Sequence, residues 1–422
     1  MVTSHIYLEG DDYRRLQECI HCGLCLSACP TYLVTGVEAD SPRGRLALMR
    51  ALDLGEVPQS AAFTHLDLCL GCLGCQTACP AGVSYGHLLE KTKAIRRPAL
   101  WIRWALAAVT APVPLRLLTA WLRLLQTIRL DRLLVRFPLL PQLMRMQLRG
   151  LPRLKGLPFT SRTEQVLPAA HPAGLRLGRV ALVTGCVMDR WYQPVHAATT
   201  RLLRWNGFEV VIPPGQGCCG ALHAHAGLLG EADELLKRNR DALAGMEAQA
   251  VIVNAAGCGA QLADKLWSDV EGPPVVDPSV FLTEHPLEPP RYKLPEITTY
   301  DAACHLYHAQ GVQSAPEQLL ELACATVEIL PDADQCCGSA GLYSLLQGQM
   351  SRKVLALKVE QLSRLKATKL VTTNPGCQMQ LQAGLQAAGI PMAVDHLGEL
   401  LDRAYRRDPA YRQTFNLSDQ AT

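Results

Sequence analysis

Twice near its start the chain repeats one cysteine spacing, C-x2-C-x2-C-x3-C-P. "CIHCGLCLSACP" sets Cys19, Cys22, Cys25 and Cys29 before Pro30, and "CLGCLGCQTACP" sets Cys69, Cys72, Cys75 and Cys79 before Pro80. Three thiols three residues apart can wrap one common centre. The fourth stands one turn further on, where it reaches a different one. The proline stops the local chain from continuing as a regular ladder, and Gly23, Gly71 and Gly74 leave room for backbone close to a bound group. Zinc sites typically pair two C-x2–4-C halves, a different arrangement from three plus one.

Three plus one is the spacing that holds [4Fe–4S] cubanes in bacterial-type ferredoxins. The wiring expected is crossed. Cys19, Cys22 and Cys25 share one cluster with Cys79; Cys69, Cys72 and Cys75 share the other with Cys29. Between the runs "SPRGRLALMRALDLGE" has proline near its start, apolar residues at helical spacing and Gly55 near its end, which predicts a helix. Residues 1–95 are therefore expected to form a mostly helical two-cluster module.

The remaining composition fits this reading. Seventeen cysteines in 422 residues are too many for accident. The N-terminus "MVTSHIYLEGDDYRR" lacks an apolar secretory segment. A cytoplasmic, reducing location is expected, where cysteines bind metal or do redox work more often than they pair. A net charge of +3 implies no nucleic-acid partner.

From Arg96 to Lys155 there are twelve Arg or Lys and one acid, Asp131, interleaved with leucines and tryptophans. Amphipathic helices broken at prolines 112, 114, 138 and 141 are expected. Such helices either pack on the protein's own domains or dock on a partner or an anionic membrane face. "LPAAHPAGLRLG", 167–178, reads as a linker that closes this connector, 96–177.

The rest repeats itself. Cys186 recurs 118 residues on as Cys304, and Cys218-Cys219-Gly220 as Cys336-Cys337-Gly338 at the same offset; Cys258 recurs as Cys377 after 119. Two like domains, 178–296 and 297–422, are expected. Short strands ("RVALVTGC", "FEVVIPP", "AVIVNAAGC"; then "TVEILP", "KLVTTNPGC") alternate with helical runs, so each domain should be α/β with a parallel sheet, and the whole chain α+β. The cysteines follow strands, at the sheet edge where open α/β folds place their sites. Cys186, Cys218, Cys219 and Cys258 are thus expected to converge as one metal or cluster site, and Cys304, Cys336, Cys337 and Cys377 as another, each in its own domain. Adjacent cysteines make a strained disulfide. Gly215, Gly217 and Gly220 match a dinucleotide fingerprint, but only Gly220 recurs in the second repeat, as Gly338, and two prolines separate the glycines from the preceding strand. His223, His225, His305 and His308 lie near cysteines without recurring, so they read as hydrogen-bonding or solvated groups. Cys324 reads as a core residue.

Two ferredoxin runs followed by two Cys-Cys-Gly (CCG) domains resemble the iron–sulfur subunits of bacterial glycolate oxidase (glycolate dehydrogenase). The resemblance rests on "HCGLCLSACPTYLVTG", "SPRGRLALMR", "HLDLCLGCLGCQTACPAGVSYGHLLE", "GCCGALHAH", "HLYHAQG" and "CCGSAGLYSLLQ", and runs nearly end to end. The architecture is shared with glycerol-3-phosphate dehydrogenase, lactate-utilisation and heterodisulfide reductase subunits. The resemblance implies two [4Fe–4S] clusters, a further iron–sulfur cluster or zinc per CCG domain, and flavin-binding partner subunits that oxidise the 2-hydroxy acid. It also implies a quinone or other membrane acceptor, peripheral association with the inner face of the plasma membrane, and no catalytic residue or flavin or nucleotide site in this chain. One departure stands out. CCG domains that hold a non-cubane cluster end in C-x2-C, and here the first of those positions is Ala255 in one repeat and Asn374 in the other. The missing thiolates favour an electron-carrying subunit over a heterodisulfide-type reductase.

Overall fold

The computed structural model describes residues 7, 8, 10–137, 141–154, 158, 159 and 163–418. The N-terminal module is helical. Helix Pro42–Asp53 starts where the sequence places it: Ser41 caps it by accepting the Gly44 N–H at 3.0 Å, and proline takes the first turn, where a missing N–H costs nothing. Its apolar face (Leu46, Met49, Leu52) packs with Phe63 and Leu66 of helix Gln59–Leu66 and with Leu88 of helix Tyr85–Ala94.

The connector forms helices Leu100–Thr110, Pro112–Thr127, Leu130–Arg136 and Gln142–Gly150. Pro114 does not break the chain as expected. It sits in the first turn of a helix, where its N–H would be unpaired anyway. A break that no proline marks falls at Arg129, which adopts a left-handed conformation with φ 59°. Pro138 and Lys155 lie outside the described residues. Helix Pro112–Thr127 buries Leu115, Leu122 and Leu125, yet its opposite side is also apolar: Val113, Leu117, Trp121, Leu124 and Ile128 form an exposed stripe at helical spacing. Among the described residues no single helix is long and apolar enough to cross a membrane; helices Leu100–Thr110 and Pro112–Thr127 reach that length only as a pair bent by 79°.

Two sheets follow. The first contains β1 (Gln165–Leu167), β2 (Gly178–Val183), β3 (Phe208–Ile212), β4 (Val251–Val253) and β5 (Val275–Val276), in the order β1-β3-β2-β4-β5. The second contains β6 (Leu294–Tyr300), β7 (Cys324–Glu328), β8 (Lys369–Thr372) and β9 (Ala393–His396), in the order β7-β6-β8-β9. All pairings are parallel except β1, which runs antiparallel to β3. The repeat therefore extends to topology, since β3-β2-β4-β5 and β7-β6-β8-β9 are the same arrangement. The chain leaves β2 and β6 toward one side and crosses to the other at β4 and β8. That reversal opens a crevice beyond the strands' carboxyl ends.

The two repeats pack against each other. Leu202 and Leu203 of the first share one core with Leu397, Leu400 and Leu401 of the second. Arg201 clamps Asp402 through two bonds of 2.8 and 2.7 Å. Cys324 is buried in this shared core. The N-terminal module is also tied in. Glu90 bonds His225 at 3.1 Å and Lys265 at 2.8 Å, both in the first repeat. Burial pushes the Glu90 carboxyl up, but these two partners outweigh it and hold the group at about 2. The tie is thus charged at neutral pH.

Candidate metal centre

The two cysteine runs fold around two cavities. Cys19, Cys22, Cys25 and Cys79 line one, together with Cys75; Cys29, Cys69, Cys72 and Cys75 line the other. The last cysteine of each run therefore stands with the first three of the other. Left-handed residues wind each loop: His21 and Gly23 in the first, Gly71 and Leu73 in the second, with φ of 56°, 86°, 64° and 66°. The turn aims the Gly71 N–H at Cys69 Sγ (3.4 Å), and the Tyr85 hydroxyl donates to the same sulfur at 3.4 Å. Gly74 is tight: a methyl there would meet the Ala28 carbonyl at 3.1 Å.

Arg45, from helix Pro42–Asp53, is 1% exposed. Its guanidinium donates to the His65 carbonyl (2.9 Å) and Thr31 Oγ1 (3.0 Å) and stands 3.8 Å from Cys29 Sγ. Burial pushes the Cys29 thiol up, and Arg45 opposes it. Breaking such a buried charged contact costs roughly 3–5 kcal/mol. Burial likewise raises Cys25 and Cys75. A cluster is the partner that keeps buried sulfurs ionised. Among the described residues no three His, Cys, Asp or Glu side chains are arranged to hold a single metal ion. Around these two cavities the thiols enclose a space rather than a point, which suits a cluster.

In each repeat the sulfurs form a chain of contacts at the strand ends. Cys186 hydrogen-bonds Cys218, Cys218 bonds Cys219, and Cys219 bonds Cys258. Cys304, Cys336, Cys337 and Cys377 do the same in the second repeat. All are free thiols. The glycine after each pair is obligatory. Gly220 and Gly338 have φ of 87° and 85°, and a methyl there would lie 2.8 Å from the Ala232 carbonyl or 2.6 Å from that of Ser351. Their N–H groups point at Cys218 Sγ (3.5 Å) and Cys336 Sγ (3.4 Å). Cys218 accepts from Cys186, Cys219 and His223 as well, and these bonds draw its thiol well below the ordinary range.

Three features here escape sequence reasoning. Cys72, from the second N-terminal run, also hydrogen-bonds Cys336, which draws it down to about 7. Among the described residues, only the second repeat touches the N-terminal module through sulfur in this way. Asn374, at the position of the absent thiolate, donates to Cys377 Sγ at 3.5 Å. The four histidines divide: His223 and His305 face Cys218 and Cys304, whereas His225 reaches Glu90 and His308 bridges Thr77 Oγ1 (2.9 Å) and the Asp334 carbonyl (3.1 Å). The Gly215–Gly220 loop is filled from within, because the Gln216 amide bonds the Thr184 N–H and the Leu182 and Pro213 carbonyls.

Comparison with known proteins agrees with this organisation. A family described as a 4Fe-4S dicluster domain matches residues 15–83, and one described as a cysteine-rich domain, CCG, matches 180–263 and 298–382. The chain is 35% identical to the probable glycolate oxidase iron-sulfur subunit of Bacillus subtilis (strain 168), over 94% of this chain and 95% of that one. It is 30% identical to the glycolate oxidase iron-sulfur subunit of Escherichia coli (strain K12), over 95% and 96%. Lactate utilization protein A of Geobacillus thermodenitrificans (strain NG80-2) is 29% identical over 53% of this chain and 98% of that one.

Proposed function

Because this chain belongs to the family of glycolate oxidase iron–sulfur subunits, we propose that it carries electrons from flavin-bearing partner subunits to a membrane acceptor. In this reading the partners oxidise glycolate to glyoxylate and this chain performs no substrate chemistry. The observation that carries the reading is the pair of crossed cysteine cavities. Cys19, Cys22, Cys25 and Cys79 would hold one [4Fe–4S] cluster; Cys29, Cys69, Cys72 and Cys75 would hold the other. Bound there, such clusters supply one-electron transfer. The chain's own residues set the surroundings. The Gly71 N–H, the Tyr85 hydroxyl and Arg45 present positive or donor groups to the sulfurs and favour added negative charge. The two CCG cysteine sets would each hold a further iron–sulfur centre; with no three side chains arranged around a single ion among the described residues, zinc is the poorer fit.

The test is turnover. The isolated chain should not oxidise glycolate with an artificial dye, because abstraction of a hydride needs a two-electron acceptor that clusters do not provide. Adding the flavin-bearing subunits should restore turnover that depends on the N-terminal cysteines. Robust oxidation by the isolated chain would refute the reading.

The connector is the proposed membrane contact. Its exposed stripe, with Trp101 and Trp104 at 60% and 75% exposure on the preceding helix, is flanked by exposed Arg116, Arg123, Arg129 and Arg132. Apolar rings and leucines with arginines alongside match an anionic bilayer surface. Each cation near such a surface contributes about 1 kcal/mol, weakened by salt. Reversing these four arginines to glutamate is expected to move the protein from the membrane pellet to the supernatant at physiological salt, with iron content unchanged. Sedimentation like that of the wild type would rule out the membrane contact.

A further inference from the structure

A cleft of about 730 Å³ lies between the end of the connector and the second CCG repeat. That is within the range of small-molecule sites. Its frame is held by specific contacts. Gln126 clamps the segment 151–154 to helix Pro112–Thr127: its amide donates to the Pro152 carbonyl and accepts from the Leu154 N–H, both at 2.9 Å. Helix Gln142–Gly150 ends so close to helix Pro375–Ala388 that a methyl on Gly150 would collide with the Met379 carbonyl. Gln378 and Gln382 of that second helix bond the Val394 carbonyl and N–H, each at 3.2 Å, which fixes the far wall to β9.

The charge on its walls is one-sided. Arg123, Arg129, Arg132, Arg149 and Arg153 line it, against one acid, Asp131. They come from helix Pro112–Thr127, the turn after it, helix Leu130–Arg136, helix Gln142–Gly150 and the segment beyond. Elsewhere arginines meet acids: Arg201 holds Asp402, Arg403 holds Asp395 and Glu296, and Arg43 holds Glu38. Among the described residues none of the five cleft arginines has such a partner, and Asp131 pairs with none of them, one of its oxygens being shut off from solvent. Like charges around one cavity repel, and an anion bound among them would offset that cost.

We propose that this cleft is a phosphate-binding site. Guanidinium forks match phosphate oxygens and engage them through paired, charge-assisted hydrogen bonds. Five forks from separate elements suit a group that offers oxygens in several directions. The inference is independent of the electron-carrying role. Two sources supply such a group, the head group of an anionic phospholipid and a soluble phosphate. Arg123, Arg129 and Arg132 also flank the exposed stripe of Trp121, Leu124 and Ile128. The acyl chains of a phospholipid would lie along that stripe with the head group among the arginines.

The test is calorimetric titration of the full-length, iron-loaded chain, purified without oxygen, with inorganic phosphate and, separately, with dihexanoyl phosphatidylglycerol as a soluble phospholipid. At least one should bind saturably at a single site. Tighter binding of the lipid assigns the site to a head group; equal or tighter binding of phosphate assigns it to a soluble anion. Arg149→Gln with Arg153→Gln should weaken binding about 100-fold, the loss of two charge-assisted contacts. Neither residue belongs to the four-arginine membrane surface, so this outcome is separate from the sedimentation result above. Arg132→Gln alone, at an exposed position, should weaken binding about tenfold. Arg14→Gln with Arg364→Gln removes the same charge from exposed positions outside the cleft and should leave affinity unchanged. Iron content should match the wild type throughout. Binding of neither probe, wild-type affinity in either cleft variant, or an equal loss in the Arg14→Gln, Arg364→Gln chain overturns the proposal.

Discussion

Cys29→Ser in the full-length chain, purified without oxygen, is expected to lose about four irons, those of one cubane. The lost cluster should be the one facing Cys69, Cys72 and Cys75, because Cys29 lines their cavity and not that of its own run. Double variants make this sharp. Residues that serve one centre are not additive, whereas residues that serve different centres are. Cys29→Ser combined with Cys69→Ser should therefore lose about four irons, no more than either alone. Cys29→Ser combined with Cys22→Ser should lose about eight. The reverse pattern would mean that each run closes on itself. The Cys29 change should also destabilise the apo protein, since Arg45 would lose one of its buried contacts.

The two CCG repeats should respond unequally to the same substitution. Cys218→Ala removes the sulfur on which the first set converges and should abolish that centre, with metal affinity falling by more than about 100-fold. The N-terminal clusters should keep their spectra. Cys336→Ala should abolish the second centre and also alter the spectrum of the Cys29–Cys69–Cys72–Cys75 cluster, because Cys336 is hydrogen-bonded to Cys72. Electron paramagnetic resonance of both variants decides the matter. If Cys336→Ala left the N-terminal signals identical to the wild type, the contact between Cys72 and Cys336 would have no electronic consequence.

What could be read in the sequence was local. The Ser41-Pro42 helix start, strands β2, β3, β4, β7 and β8, and the cysteine spacing all announce themselves within a few residues. β6 escaped because "LPEITTY" carries a proline and alternates polar residues, which resembles a connection; an expected limit at 296/297 falls inside it. β5 is too short to show a period, and β1 exists only through its pairing with β3. Cys72 against Cys336 and Glu90 against His225 and Lys265 join residues far apart in the chain. No local pattern encodes such meetings; they arise when packed modules dock. The shared core of the repeats escaped for the same reason. Repetition argues for two like units, but the apolar faces of Leu202 and Leu401 do not say which partner covers them.

The central claim is that electrons from glycolate enter this chain only through its partners. The most direct measurement is the iron–sulfur absorbance of this chain in an anaerobic cuvette, before and after glycolate. In the assembled complex, glycolate should bleach it; with the isolated chain, nothing should change until the flavin-bearing subunits are added. Bleaching of the isolated chain, or a complex in which glycolate reduces the flavin and leaves the clusters oxidised, would contradict the account.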